Sequence, residues 1–451
     1  MGNAMRKPSK AGILHAASEI LSESISELTN ADIIPFVSSY FNRADAFLEL
    51  AHCHGSPLYV FEPEQLSRNI CVFRETFSIR IPDIRLYYAV KSNNLPAAVS
   101  CCVKAGIGLD VSSGDELRLA LATGARDIVF SGPGKTEAEH RLVVEHWDRV
   151  TVLLDSEGEM RRLAFLASHL GVEIRCGIRI TTEERGAWRK FGIPLSSLRD
   201  ILAASRCVPG VNILGLQFHT SWNLTPEAQV RFVERLGVVL DELPVQDRVR
   251  IEFIDIGGGF WPPQGEWLQP AGTARGRLLE VCYPDRILHN PLHYILHAEP
   301  LTSFAERIAA ALEKHIFRSG PCTIFAEPGR WLCNDVMHLL LTVIDRKTED
   351  LVITDGGTNA VGWERFEHDY FPVLNLSRPA LRENACAIMG SLCTPHDVWG
   401  YAYWGARIEP GDILLIPNQG AYTYSLRQHF IKALPKVVYL FKYENTKFMT
   451  T

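Results

Sequence analysis

Six places in this chain pair a short apolar run with a residue able to do chemistry at its end: Lys91, Asp110, Arg179, His219, Gly257-Gly258-Gly259 and Glu327. A lysine so placed can lose its proton and form an imine with an aldehyde cofactor. Consecutive glycines offer bare backbone N–H groups that a phosphate can approach closely. A histidine can stack on a flat ring, and a carboxylate can hold a ring nitrogen protonated. That protonation makes the ring an electron sink, as a carbanion left by CO2 loss requires. One polar residue at the end of an apolar run means little; six, of differing types, describe one reaction.

These residues need a scaffold that brings run ends together. Eight runs, Leu86–Val90, Ile107–Val111, Ile128–Ser131, Val150–Leu154, Ile174–Ile180, Ile213–Phe218, Ile251–Ile256 and Thr323–Ala326, alternate with helical stretches such as Asp115–Ala122 and Glu137–Trp147. Strands alternating with helices pair in parallel through right-handed crossovers. Eight such units closed on themselves form a (β/α)8 barrel, whose chemistry sits where strands end. An open doubly wound sheet is the alternative. From about Trp331 the runs Met337–Ile344, Leu351–Thr354, Ala385–Met389, Asp412–Ile416 and Lys436–Phe441 read as strands of a mainly β domain. The expected division is a helical extension (1–56), the barrel (57–330) and the β domain (331–451). The strand at Leu58–Phe61 is expected to join the last of these. Ala11 to Thr29 reads as one amphipathic helix.

The 451 residues are 47% hydrophobic and 22% charged, with a formal charge of −6. An acidic balance disfavours nucleic acid and anionic membranes as partners, and no apolar run nears the ~18 residues of a membrane span. Eleven scattered cysteines without a CxxC pair fit reduced thiols in the cytoplasm better than a disulfide framework. Met1 to Lys10 lack a signal peptide's apolar core.

Several motifs stand in a fixed order: Tyr88-Ala89-Val90-Lys91-Ser92-Asn93, Asp110-Val111-Ser112-Ser113 with Glu116, Lys190-Phe191-Gly192, Ile254-Asp255-Ile256-Gly257-Gly258-Gly259-Phe260, Glu327-Pro328-Gly329-Arg330, Cys393 with Asp397, and Gly420-Ala421-Tyr422. From about Pro57 to Tyr439 the sequence resembles the fold-type III pyridoxal-phosphate (PLP) enzymes, the family of diaminopimelate, ornithine and arginine decarboxylases. The resemblance implies an alanine-racemase-like barrel with a β domain, and a head-to-tail homodimer with shared active sites. It implies that Lys91 forms the internal aldimine, His219 stacks on the pyridine ring and Glu327 pairs with the ring nitrogen. Gly257, Gly258, Gly259, Arg330 and Tyr422 should surround the phosphate, with a substrate carboxylate as the other reading of Arg330. Cys393 should enter the partner's site and return the proton after CO2 leaves. Asp110 and Glu116 should support Lys91.

Two departures bear on cofactor and substrate. The family usually has His-x-Gly-Ser, and here His219-Thr220-Ser221-Trp222 puts tryptophan at the serine position, with Ser221 as the candidate replacement. After the catalytic cysteine the family commonly has an acid that binds the substrate's distal amino group; here stand Thr394, Pro395, His396 and Asp397. Arg179, Glu367, Asp369, Thr394 and Asp397 are the candidate substrate contacts. The expected substrate is a diaminopimelate-, lysine- or ornithine-like or derivatised amino acid, free or carrier-tethered.

Each sharp reading has a plain counterpart. Lys91 alone would be a solvated lysine, Cys393 a small buried side chain, Glu327 a salt-bridge partner, His219 a core histidine and the glycines a turn. Gly132-Pro133-Gly134-Lys135-Thr136 imitates a nucleotide-binding loop, but Val129 stands where its first glycine should be. His289, His293 and His297 could share a helix face; with Pro291 among them and no closing ligand, a solvated or partner-facing helix is the better reading, and no metal is expected. An amino-acid racemase would place arginine at the ring nitrogen and use a tyrosine base. A non-catalytic homologue that regulates a decarboxylase would lose the lysine or cysteine. Glu327, Lys91 and Cys393 favour the decarboxylase.

Overall fold

The computed structural model describes residues 9–283, 292–362 and 365–441. The chain begins with helix α1 (Lys10–Ser22), a short strand β1 (Ser26–Glu27) and helices α2 (Asn30–Phe41) and α3 (Ala44–His54), followed by strand β2 (Leu58–Phe61). The expected single helix over Ala11–Thr29 ends at Ser22. Beyond it the backbone is drawn into a sheet instead, with Leu28 N donating to His293 O at 2.9 Å.

The eight barrel strands are β3 (Arg85–Ala89), β4 (Gly108–Val111), β5 (Ile128–Phe130), β6 (Val150–Leu154), β7 (Ile174–Ile180), β8 (Val211–Phe218), β9 (Phe253–Asp255) and, after an excursion, β12 (Thr323–Ala326). They close in the order β12-β3-β4-β5-β6-β7-β8-β9, all parallel, with β12 joined to both β9 and β3. An aromatic plug fills the barrel's lower end. Tyr87, Phe253 and Phe325 are buried there with Val129 and Leu153, and the rings of Phe253 and Phe325 stack at 4.4 Å. A Cβ on Gly215 would stand 2.3 Å from the Phe253 ring, so the glycine in β8 makes room for the plug.

The excursion carries β10 (Glu266–Leu268) and β11 (Tyr294–Leu296), antiparallel to each other, with β1 on the far side of β11. This corrects the helical reading of the histidine series. His293 leads into β11, is buried, stacks on Tyr370 at 3.5 Å and meets Glu383 at 3.1 Å, while His289 lies outside the described residues.

The rest of the chain forms an eight-stranded sheet from β13 (Met337–Thr348), β14 (Leu351–Thr354), β15 (Leu374–Asn375), β16 (Glu383–Met389), β17 (Val398–Trp404), β18 (Ile413–Ile416), β19 (Lys436–Tyr439) and β2. Strand β2 lies between β13 and β19. Strand β17, with a mid-strand Gly400, is one the periodicity did not reveal. Helices α2 and α3 pack Val37, Phe47 and Leu50 against Leu58, Val60, Leu340 and Leu415 of this sheet. Helix α1 buries nothing. Among the described residues no helix is long and apolar enough to cross a membrane.

Candidate active site

A cavity of about 720 Å³ opens at the C-terminal ends of the barrel strands and extends to the β domain. Lys91, Arg179, His219, Ser221, Gly259, Glu327, Arg330, Asp369 and Tyr422 of the sequence-predicted set line it. Asp110 lies just beneath.

Lys91 sits in a single 3-10 turn (Val90–Ser92) directly after β3, which carries its stem over the barrel mouth. Its Nζ donates to Asp110 Oδ2 at 2.8 Å. Asp110 is completely buried and also accepts from the Ser131 hydroxyl. Burial alone would push the lysine pKa down, but the carboxylates of Asp110 and Glu327 outweigh it and hold the ammonium above its ordinary value. Glu116, at the start of the helix Gly114–Ala122, accepts from Ser112 N at 2.7 Å and so steadies the loop after β4.

Beside Lys91, two acids and an amide turn inward from the neighbouring strands β12, β9 and β8. Burial would raise the Glu327 carboxyl, yet the charge of the Lys91 ammonium keeps it below the ordinary range and ionised. Asp255 is pushed far up by burial and by the charge on Glu327, so this acid stays neutral beside its ionised neighbour, as like charges so close require. Gln217, also fully buried, points its amide at both Glu327 oxygens from 3.4 and 3.5 Å. Sequence reasoning assigned no role to Gln217 or Asp255. The period of two along β8 and β9, which turns both side chains into the barrel beside Glu327, was the available signal.

His219 follows β8 directly and lines the cavity. Burial lowers its pKa, and its Nδ1 accepts the Gly258 N–H at 3.1 Å, which fixes a neutral ring with the proton on Nε2. Ser221 Oγ lies 3.2 Å from that Nε2. The glycine triplet is required by crowding. A Cβ on Gly258 would lie 2.3 Å from the Glu327 carbonyl, and one on Gly259 2.2 Å from that of Thr220, with φ of +81° at Gly259. Only Gly259 of the three reaches the cavity surface. The Arg330 guanidinium is held over the Trp261 and Tyr422 rings, 4.5 and 5.0 Å from their centroids.

Backbone strain concentrates here. Four non-glycine residues among those described have positive φ, and three of them, Trp222, Asn418 and Tyr422, line the cavity. Each costs roughly 1–3 kcal/mol and persists only where the surroundings impose it.

Other candidates fall elsewhere. Cys393 is exposed and Thr394 half-buried; neither lines this cavity. Glu367 pairs with His396 at 2.9 Å away from it. Asp397 corrects its sequence reading as a substrate contact. It is buried, and its oxygens accept from Thr358 N at 2.7 Å, Thr358 Oγ1 at 3.0 Å and Leu392 N at 2.6 Å, so it builds the loop that bears Cys393. Arg179 is mostly occupied too, donating to Ser131 O at 2.7 Å and lying over Phe191. In the nucleotide-loop imitation, Lys135 is buried against Glu159 at 2.8 Å, an internal ion pair.

The donor set fits PLP. A lysine amine, an ionised buried carboxylate and a neutral imidazole surround one space, with a guanidinium and glycine backbone at its edge.

Comparison with known proteins points to the same cofactor. Residues 65–334 match the model of the family described as pyridoxal-dependent decarboxylase, pyridoxal binding domain. The chain is 24% identical over 399 residues to diaminopimelate decarboxylase of Campylobacter jejuni, covering 85% of this chain and 90% of that one. It is 26% identical over 404 residues to the L-glutamyl-[BtrI acyl-carrier protein] decarboxylase of Niallia circulans, covering 83% and 86%. The fold matches the crystal structure of Helicobacter pylori diaminopimelate decarboxylase complexed with L-lysine at a TM-score of 0.70, with 22% identity over 88% of this chain and 94% of that one.

Proposed function

The chain belongs to the pyridoxal-dependent decarboxylases, a PLP-dependent amino-acid decarboxylase, and we propose that its substrate is a diaminopimelate-, lysine- or ornithine-like or derivatised amino acid. The observation that carries the site assignment is the convergence on one cavity of Lys91, 2.8 Å from Asp110, and an ionised Glu327 from the neighbouring strand.

When bound, PLP supplies an aldehyde for an amine and a ring that accepts the electron pair freed as CO2 departs. Lys91 would be the amine that holds it. Glu327 would keep a proton on the ring nitrogen, and the neutral His219 ring would pack against the cofactor. Gly259 N–H, Arg330, Tyr422 and Ser221 would receive the phosphate, with Gly257 and Gly258 setting the turn. The aromatic side chains that line the cavity, Trp188, Phe191, Trp261 and Tyr370 among them, would strip water from the substrate carboxylate as it is positioned.

Cys393 delivers a proton to Cα from a second copy of the chain. Its exposure, and its absence from the cavity of its own chain, support a homodimer with shared sites. The substrate is free or carrier-tethered, as the diaminopimelate and L-glutamyl-carrier relatives suggest in turn. Eleven cysteines, all free, support a cytoplasmic location.

The test is CO2 release from a panel of L- and D-amino acids with PLP supplied, including diaminopimelate, lysine, ornithine, arginine and glutamate. Release from at least one, abolished in Lys91→Ala, is the expected result. A visible PLP band on Lys91 with no CO2 from free or carrier-bound amino acids would overturn the reading.

A further inference from the structure

The N-terminal extension reaches the cavity. Tyr40, on α2, donates its hydroxyl to Asn418 Oδ1 at 2.9 Å, and Asn418 Nδ2 donates to Gln264 Oε1 at 2.6 Å. Both amides line the cavity. We propose that Gln264 is a specificity-determining residue for the distal end of the substrate, presented by the extension through Tyr40 and Asn418. This rests on the decarboxylase reading of the site.

The relay is built rather than incidental. Asn418 is 4% exposed and held at φ +57°. Its backbone N–H donates to His338 Nδ1 at 3.2 Å, and His338 Nε2 lies 2.8 Å from Glu62, which also takes Arg43 at 2.7 Å. Arg43 follows α2, so the extension grips this unit at two points. The Gln264 turn is equally fixed. Gly265 adopts φ +74°, where a Cβ would stand 2.4 Å from Leu296 O of β11, and the Trp267 indole donates to Gln264 O at 3.1 Å. Behind Trp267 stands Phe36 of α2, edge-on at 5.0 Å.

The relay sets polarity. Tyr40 supplies the proton to Asn418, which leaves Asn418 only its NH2 for Gln264 and consumes the Gln264 carbonyl. The Gln264 NH2 is then the end that a ligand meets. It calls for an oxygen acceptor, and this end of Gln264 offers an ammonium group nothing. Glu266 and Asp369 line the same cavity, the latter bridged to Leu268 beside β10, and their charge disfavours a lone carboxylate. The fitting distal group is an oxygen acceptor without net negative charge: a neutral carbonyl such as an amide or thioester, or a carboxylate paired with its own ammonium.

The experiment titrates the PLP-loaded protein calorimetrically with diaminopimelate, N6-acetyllysine and lysine, which needs no turnover. Gln264→Glu replaces the donor end by an acceptor, and Tyr40→Phe removes the relay proton while keeping the packed ring. The expected result is a shift of at least tenfold towards lysine in the Kd ratio for one acceptor ligand over lysine in Gln264→Glu. Tyr40→Phe should shift it about threefold the same way, raising KM with kcat retained on any substrate decarboxylated. A shift confined to diaminopimelate identifies the amino-carboxylate end, and one confined to N6-acetyllysine the neutral carbonyl. An unchanged ratio in Gln264→Glu, or no binding of any of the three, overturns the proposal. Absence of CO2 release with the ratio shifted would instead remove the decarboxylase reading alone.

Discussion

The amino nitrogen of Lys91 lies 2.8 Å from a carboxylate, Asp110, that has no exposed surface. A lysine so paired stays protonated to higher pH than a solvated one, because burial is outweighed by the charges of Asp110 and Glu327. Asp110→Asn removes the nearer charge and leaves burial unopposed by it. The pH at which half of the protein takes up PLP on Lys91, followed by the violet absorption band, should then move acidic by at least about one unit. An unchanged midpoint would mean that Asp110 does not control the lysine proton.

The exposed Cys393 and the cavity-lining Lys91 predict complementation. Lys91→Ala and Cys393→Ala are each expected to be inactive, and mixing them under subunit exchange should restore about one quarter of the wild-type sites, as random pairing in a two-site dimer gives. No recovery, with exchange demonstrated by mixed-tag purification, would place Cys393 outside the partner's site.

Asp397 supports a loop. Asp397→Ala leaves Leu392 N and Thr358 N without their acceptor, at a cost of about 3 kcal/mol. The melting temperature and kcat should fall while the preference among substrates stays constant. Preserved melting with altered preference would return Asp397 to the substrate contacts.

Glu62 predicts an acid-side loss of stability. Burial would raise this carboxyl, but His338 and Arg43 draw it down to about 2 from an ordinary value of 4.5. A depressed carboxyl stabilises fully above its unfolded pKa and loses that contribution as pH falls through the folded one. Glu62→Gln should therefore cost up to about 3 kcal/mol near neutral pH, and less with each step from pH 4.5 towards 2. Denaturant unfolding across that range measures it; a gap that does not narrow on acidification would contradict the assignment.

The family and the fold were legible in the sequence. The runs from Leu86 to Ala326 occupy the barrel strands to within two residues at most ends, because a buried parallel strand must be a short unbroken apolar run. Lys91, His219 and Glu327 could be picked out because a barrel puts the residue after each such run on one rim. Asp397 could not be read in the same way. Its motif neighbour is Cys393, but its carboxylate turns inward to Thr358, 39 residues earlier, and no local pattern records that pairing.

By itself, then, the sequence determined which scaffold forms and which residues are the candidates to hold an aldehyde cofactor on it, since period and residue chemistry are local properties. Tertiary structure decided what those residues meet. Tyr40 and Asn418 are 378 positions apart, and their hydrogen bond exists because α2 packs on the β sheet whose strand β18 delivers Asn418 to the cavity. The neutrality of Asp255 beside an ionised Glu327 is likewise a consequence of two strands closing side by side. Charge and hydrogen bonding act through space over a few ångströms, and only the closed barrel and its docked sheet fix those distances.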